Sequence, residues 1–192
     1  MPGAPSDLLD LVEAAYREHF EVVPDRASVS FLGVEPLEVL RYPDEGADHY
    51  VTLGMARYPM GDPAETTVAT SSAPRAELLV TVAGRPERLW RALAVMAAGP
   101  AVEGAVYQPG NRLDLGEPLS PGSRCTGAVL AVSELRPIVV PGVADVQVLR
   151  LLPATPTELA YARVHGSEQL RQRWQASSTD LTDLMRDPVE LG

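Results

Sequence analysis

The chain has 192 residues, 45% of them apolar, which is enough for one domain with a sizeable core and excludes a disordered protein. It carries 26 acids against 16 bases, a net charge of -10, and every base is Arg. The acidic surplus argues against nucleic acid or anionic lipid as partner, and the absence of Lys excludes a Schiff-base lysine and a Walker-A phosphate loop.

The first expected element is a helix from Ser6 to Phe20, with Ser6 as its cap and Leu8, Val12, Tyr16 and Phe20 on one apolar face. Extended segments follow at Glu35 to Tyr42 and Tyr50 to Arg57. In the second, Val51, Leu53 and Met55 are expected on one side and Tyr50, Thr52 and Gly54 on the other. Tyr58 to Arg75 is rich in Pro, Gly, Ser and Thr and reads as a long loop, which in a compact domain is either functional or mobile. Its hydroxyls (Thr66, Thr67, Ser71, Ser72) read as solvating.

Ala76 to Val82 is a strand, and Pro86 opens a helix that Gly99-Pro100 is expected to end. Leu89, Trp90, Leu93, Val95, Met96 and Ala97 fill its buried side. Residues 101–125 form an arm with at most one short strand, followed by strands at Gly127 to Val132 and Val143 to Leu152. Thr155-Pro156-Thr157-Glu158 is a capping box opening a helix to His165, and Ser167 caps a last helix with Leu170 and Trp174. Strict strand–helix alternation is missing, so the expected fold is a single α+β domain over residues 1–176. Its sheet is mixed and mostly antiparallel, flanked by helices, and residues 177–192 follow as an acidic tail that can fray.

No apolar run reaches the roughly 20 residues of a membrane span. Met1 to Ser6 has no signal-peptide pattern, and the single Cys125 leaves no internal disulfide, so the cytoplasm is the expected compartment. Catalytic motifs are absent. Asp44, Glu45, Asp48 and His49 form the best polar cluster, a divalent-metal or acid–base candidate set against a reading in which they solvate a turn. Cys125 would need His19 or His165 beside it to act as a nucleophile. Tyr58 and Met60 look hard to bury in their Pro/Gly loop, which suits an interface.

His49-Tyr50-Val51-Thr52-Leu53-Gly54-Met55 resembles the central strand signature of the Suppressor-of-fused (SUFU) domain family. Glu77-Leu78-Leu79-Val80, the helix around Trp90 to Ala98, Gly116-Glu117-Pro118-Leu119 and Leu151-Leu152-Pro153 follow in the family's order, over roughly residues 30–175. The resemblance implies a protein-binding module of the bacterial single-domain type, with no catalysis and neither cofactor nor metal. Bacterial relatives are associated with toxin systems, which implies an immunity-type protein that neutralises a cognate toxin. The charge suits a basic one. The candidate contact residues are His49, Tyr50, Thr52, Tyr58 and Met60, and Gly54 also fits a purely structural part in the signature. The alternatives are a small hydrolase or metal-dependent enzyme using His49 with Asp44 or Asp48, and a homodimeric scaffold.

Overall fold

The computed structural model describes residues 7–61 and 72–191. The expected Ser6 cap and the loop hydroxyls Thr66, Thr67 and Ser71 lie outside the described residues. The elements run α1 (Leu8–Phe20), β1 (Asp25–Phe31), β2 (Val34–Tyr42), β3 (Asp48–Leu53), β4 (Arg75–Val82), α2 (Leu89–Glu103), β5 (Arg112–Asp114), β6 (Gly127–Val132), β7 (Val146–Ala154), α3 (Pro156–His165) and α4 (Ser167–Ala176). The strands make one seven-stranded sheet in the order β1-β2-β3-β4-β7-β6-β5. Every pairing is antiparallel except β4 with β7, so the sheet is mixed and mostly antiparallel as expected.

Helices cover both faces. Along β7, Leu149 and Leu151 pack with α2, whereas Val146 and Val148 pack with α1 and Leu152 and Ala154 with α3 and α4. Two covered faces explain why β3 is almost entirely buried: Val51 and Leu53 meet α1, and Tyr50 meets α2. Met55 departs from the expected alternation. The strand ends at Leu53, a 3₁₀ turn spans Met55–Arg57, and Met55 joins Tyr50 on the α2 side.

Three further readings are corrected. β1 carries little sequence signal because it is an edge strand whose alternate side chains face water, leaving only Ala27, Val29 and Phe31 partly buried. The helix α2 begins at Leu89, later than Pro86 suggested, and passes through Gly99-Pro100 to Glu103. Pro100 has no N–H for the Met96 carbonyl, and the Tyr107 hydroxyl donates to that carbonyl instead, at 2.7 Å. Gly99 makes room for this, since a Cβ there would lie 2.1 Å from the Tyr107 oxygen. Trp90 and Val95, expected inside, stand on the exposed side of α2.

The segment after α4 packs along the domain. Leu184 and Val189 are buried, the Ala83 amide donates to the Thr182 carbonyl at 2.8 Å, and the Arg124 amide donates to the Leu184 carbonyl at 2.9 Å. Its acidic composition hid the residue that matters most, Arg186, which is buried against α3. No helix among the described residues is long and apolar enough to cross a membrane.

Candidate functional site

The signature strand β3 lies inside the sheet, which decides what its residues can reach. The Thr52 hydroxyl donates to the Glu77 carboxylate at 2.5 Å, and the amides of Gly54 and Ala56 donate to the same carboxylate at 2.8 and 3.0 Å. Two positions away on β4, the Arg75 guanidinium donates to the carbonyls of Ala56 and Arg57 at 2.7 and 2.9 Å. The 3₁₀ turn is thus gripped by its amides through Glu77 and by its carbonyls through Arg75. Gly54 sits at φ +123°, which disfavours any residue with a Cβ. Burial pushes the Glu77 carboxyl above the usual carboxylate range, opposed by the Thr52 hydroxyl and the turn's amides. Thr52 and Gly54 therefore build the fold around Glu77.

Tyr50 and Thr52 are buried, and so is Met60, whose sulfur accepts the Tyr107 amide at 3.3 Å. The expectation that Met60 is hard to bury is corrected: a flexible thioether fills the gap under the Tyr107 backbone. Tyr58 is half-buried, with its hydroxyl accepting the Glu35 amide at 2.9 Å. His49 remains at the surface, its side chain 20% exposed. Its Nδ1 lies 3.0 Å from the Thr81 hydroxyl and its Nε2 3.5 Å from Asp44, with the Phe20 ring 5.3 Å away.

Of the two acid–base partners expected for His49, Asp44 does lie beside it, on an exposed turn, and Asp48 does not. Asp48 points away from His49, as neighbours on a strand do, and pairs with Arg41 at 2.5 Å. Cys125 is sealed in the core, and burial pushes its thiol up to about 11, which suppresses the thiolate. Among the described residues, no three His, Cys, Asp or Glu gather as a metal site would require.

The two edge strands of the sheet differ in what they leave open. β1 is long but guarded. Asp25 is held by Arg41 and Arg85, Arg26 is held by Glu13 and Glu38, and a register irregularity between Val29 and Phe31 bends the strand. At the other end, β5 is short and open. The Asn111 carbonyl accepts the Leu130 amide of β6, the Leu115 amide donates to the Thr126 carbonyl just before β6, and alternation gives Leu113 the same inward orientation. The amides and carbonyls of Arg112 and Asp114 therefore face the open side. Gly127 lets β5 approach β6 this closely, since a Cβ there would lie 2.0 Å from the Leu113 carbonyl oxygen.

Beside this edge runs a groove of about 480 Å³ between β5 and the second half of α2. Val95, Met96, Gly99, Val106, Leu113 and Leu115 supply its apolar lining. Glu103, Arg112 and Asp114 supply charge. Val95 and Val106 are 43% and 42% exposed, so apolar surface is left open next to an unpaired strand. β5 was expected only as a short strand in an arm, and its open edge left no mark in the sequence because backbone groups carry its chemistry.

The family model for Suppressor of fused protein (SUFU) matches residues 33–187. The match contains the signature strand, β5 and Arg186. Among solved structures, a Suppressor of fused homologue from Neisseria gonorrhoeae FA 1090 is 15% identical with a TM-score of 0.72, over 98% of this chain and 100% of that one. A chain of the Sufu–Fu complex is 15% identical with a TM-score of 0.69, over 98% of this chain and 92% of that one. Drosophila Suppressor of Fused is 15% identical with a TM-score of 0.66, over 95% of this chain and 50% of that one. At such identities these likenesses speak for the fold alone. No curated protein matches the chain in sequence.

Proposed function

Since the chain belongs to the Suppressor of fused family, we propose that it is a non-enzymatic protein-binding module that captures an extended segment of a partner on the open edge of β5. The observation that carries this reading is the unpaired edge of Arg112–Asp114 lying beside an open groove with both apolar and charged lining. An added strand would take main-chain hydrogen bonds from β5 and lay alternate side chains against Val95, Val106 and Leu115. The Sufu–Fu complex shows a protein of this fold solved with a protein partner.

The finer reading is an immunity-type protein of the bacterial single-domain kind, acting in the cytoplasm and neutralising a cognate toxin. The net charge of -10 favours a basic toxin, because opposite charge speeds encounter. His49 and Tyr58, the sequence candidates with exposed surface, lie on β3 and beside β2, away from the β5 edge, and would be contacts only for a second face of the partner, while Tyr50, Thr52 and Met60 act by shaping the sheet and its covering.

Arg112→Pro tests the edge. It removes an outward-facing amide without touching a bond to β6. A tagged wild-type chain expressed in its native host is expected to retain a partner that the Arg112→Pro chain loses, with the circular dichroism spectra of the two unchanged. Equal capture by both would overturn the edge reading. Protection of cells that express the captured partner would support the immunity reading, and no protection would remove it while leaving protein binding intact.

A further inference from the structure

We infer that residues 177–191 form a strap that opens as a unit over an otherwise folded domain, and that Arg186 seated on Glu158 is its lock. Past α4 the strap has neither helix nor strand. It buries Leu184 against the α2 core and Val189 against the α3–α4 core, where Leu181 and Leu191 also pack, partly buried. Its backbone meets the sheet end through the Ala83 and Arg124 amides, and the Ser123 hydroxyl lies 3.2 Å from the Leu184 carbonyl. Two buried and two half-buried apolar anchors and a few hydrogen bonds oppose the chain entropy of a 15-residue segment, so the lock decides the balance.

The lock is dense. Arg186 Nη1 and Nη2 donate to the two Glu158 oxygens at 2.7 and 2.9 Å, and Nη2 also donates to the Pro153 carbonyl at 2.9 Å. The guanidinium lies 5.7 Å from the centre of the Trp174 ring. The Val189 amide donates to Glu158 at 3.0 Å. Everything else on Glu158 belongs to the capping box and to Trp174, whose indole N–H donates at 2.9 Å. Removing Arg186 therefore frees the strap without unmaking the helix start. Opening uncovers one face of Trp174 and the region of Cys125, whose carbonyl accepts from the same Ser123 hydroxyl that reaches Leu184.

Native-state hydrogen exchange on the wild-type chain reads the opening directly. The amides of Ala83, Arg124 and Val189 are expected to exchange together and faster than the amides of β3 and β4. Arg186→Met is expected to accelerate those three by about a hundredfold or more while β3 and β4 keep their protection. Labelling of the Cys125 thiol should rise in step with the three amides. The inference is overturned if the three amides in the wild type exchange only as slowly as those of β3 and β4. It is also overturned if Arg186→Met accelerates strap and sheet amides by the same factor, for then the segment is part of one cooperative unit.

Discussion

Glu77 and Glu158 are both fully buried, yet the protein handles them in opposite ways. Glu77 meets only uncharged donors, a hydroxyl and two amides, and burial raises its carboxyl above the usual range. Glu158 is also raised by burial, but the Arg186 guanidinium, with the Thr155 and Val189 amides and the Trp174 indole, holds it below that range. One carboxyl fastens a turn within the sheet. The other fastens a distant stretch of chain. A buried carboxyl that serves its neighbours can do without a cation, whereas one that must capture a remote segment gains from a charged partner.

The comparison breaks most sharply at Glu77→Ala. The Thr52 hydroxyl and the amides of Gly54 and Ala56 would lose their acceptor in the core, at about 1–3 kcal/mol each. A loss of at least about 4 kcal/mol is expected from urea unfolding. The same change to Gln separates the two sites next. Glu158→Gln should cost about 3 kcal/mol by leaving Arg186 unpaired until the strap opens to water. Glu77→Gln keeps an acceptor for both amides and removes a desolvated charge, so it should cost less than about 1 kcal/mol.

Acid sharpens the contrast. A carboxyl held low in the folded state contributes stability above its unfolded pKa of about 4.3 and loses it as the pH falls through the folded value. The gap between wild type and Glu158→Gln should therefore close on acidification. A carboxyl held high does the reverse: its protonated form is the one favoured by folding, so wild type should lose ground to Glu77→Gln as pH rises above about 4.3. Unfolding midpoints at a series of pH values would show the two gaps moving in opposite directions.

The smallest effect concerns a neutral acceptor. Tyr107→Phe strands the Met96 carbonyl beneath Pro100 and should cost about 1 kcal/mol. Adding Pro100→Ala supplies the missing amide, and a thermal melt of the double variant should recover most of the loss.

These same sites mark where the sequence could be read. The capping box at Thr155–Glu158 is local, and both of its hydrogen bonds form, Thr155 amide to Glu158 at 2.8 Å and Glu158 amide to Thr155 at 3.4 Å. The further use of Glu158 depends on a residue 28 positions on, and no spacing rule connects them. Gly99-Pro100 reads as a helix stop because the usual rescue of a missing amide is invisible. Here it comes from Tyr107 beyond the end of the helix. The apolar strands and a mixed, mostly antiparallel sheet follow from periodicity and the lack of strict strand–helix alternation, whereas the parallel pairing of β4 with β7 does not, because it joins strands more than 60 residues apart. The open edge of β5 does not, because main-chain groups make it and any side chain would serve.

The strap has a consequence for how the chain is made. Glu158 leaves the ribosome well before Arg186 does, and during that interval the carboxyl at the start of α3 has no guanidinium to sit against. Until the strap follows, only the Thr155 amide and the Trp174 indole serve it. The face of Trp174 that the strap covers is therefore closed after the start of α3 has formed, and until then it stays open to whatever chaperone or partner is nearby.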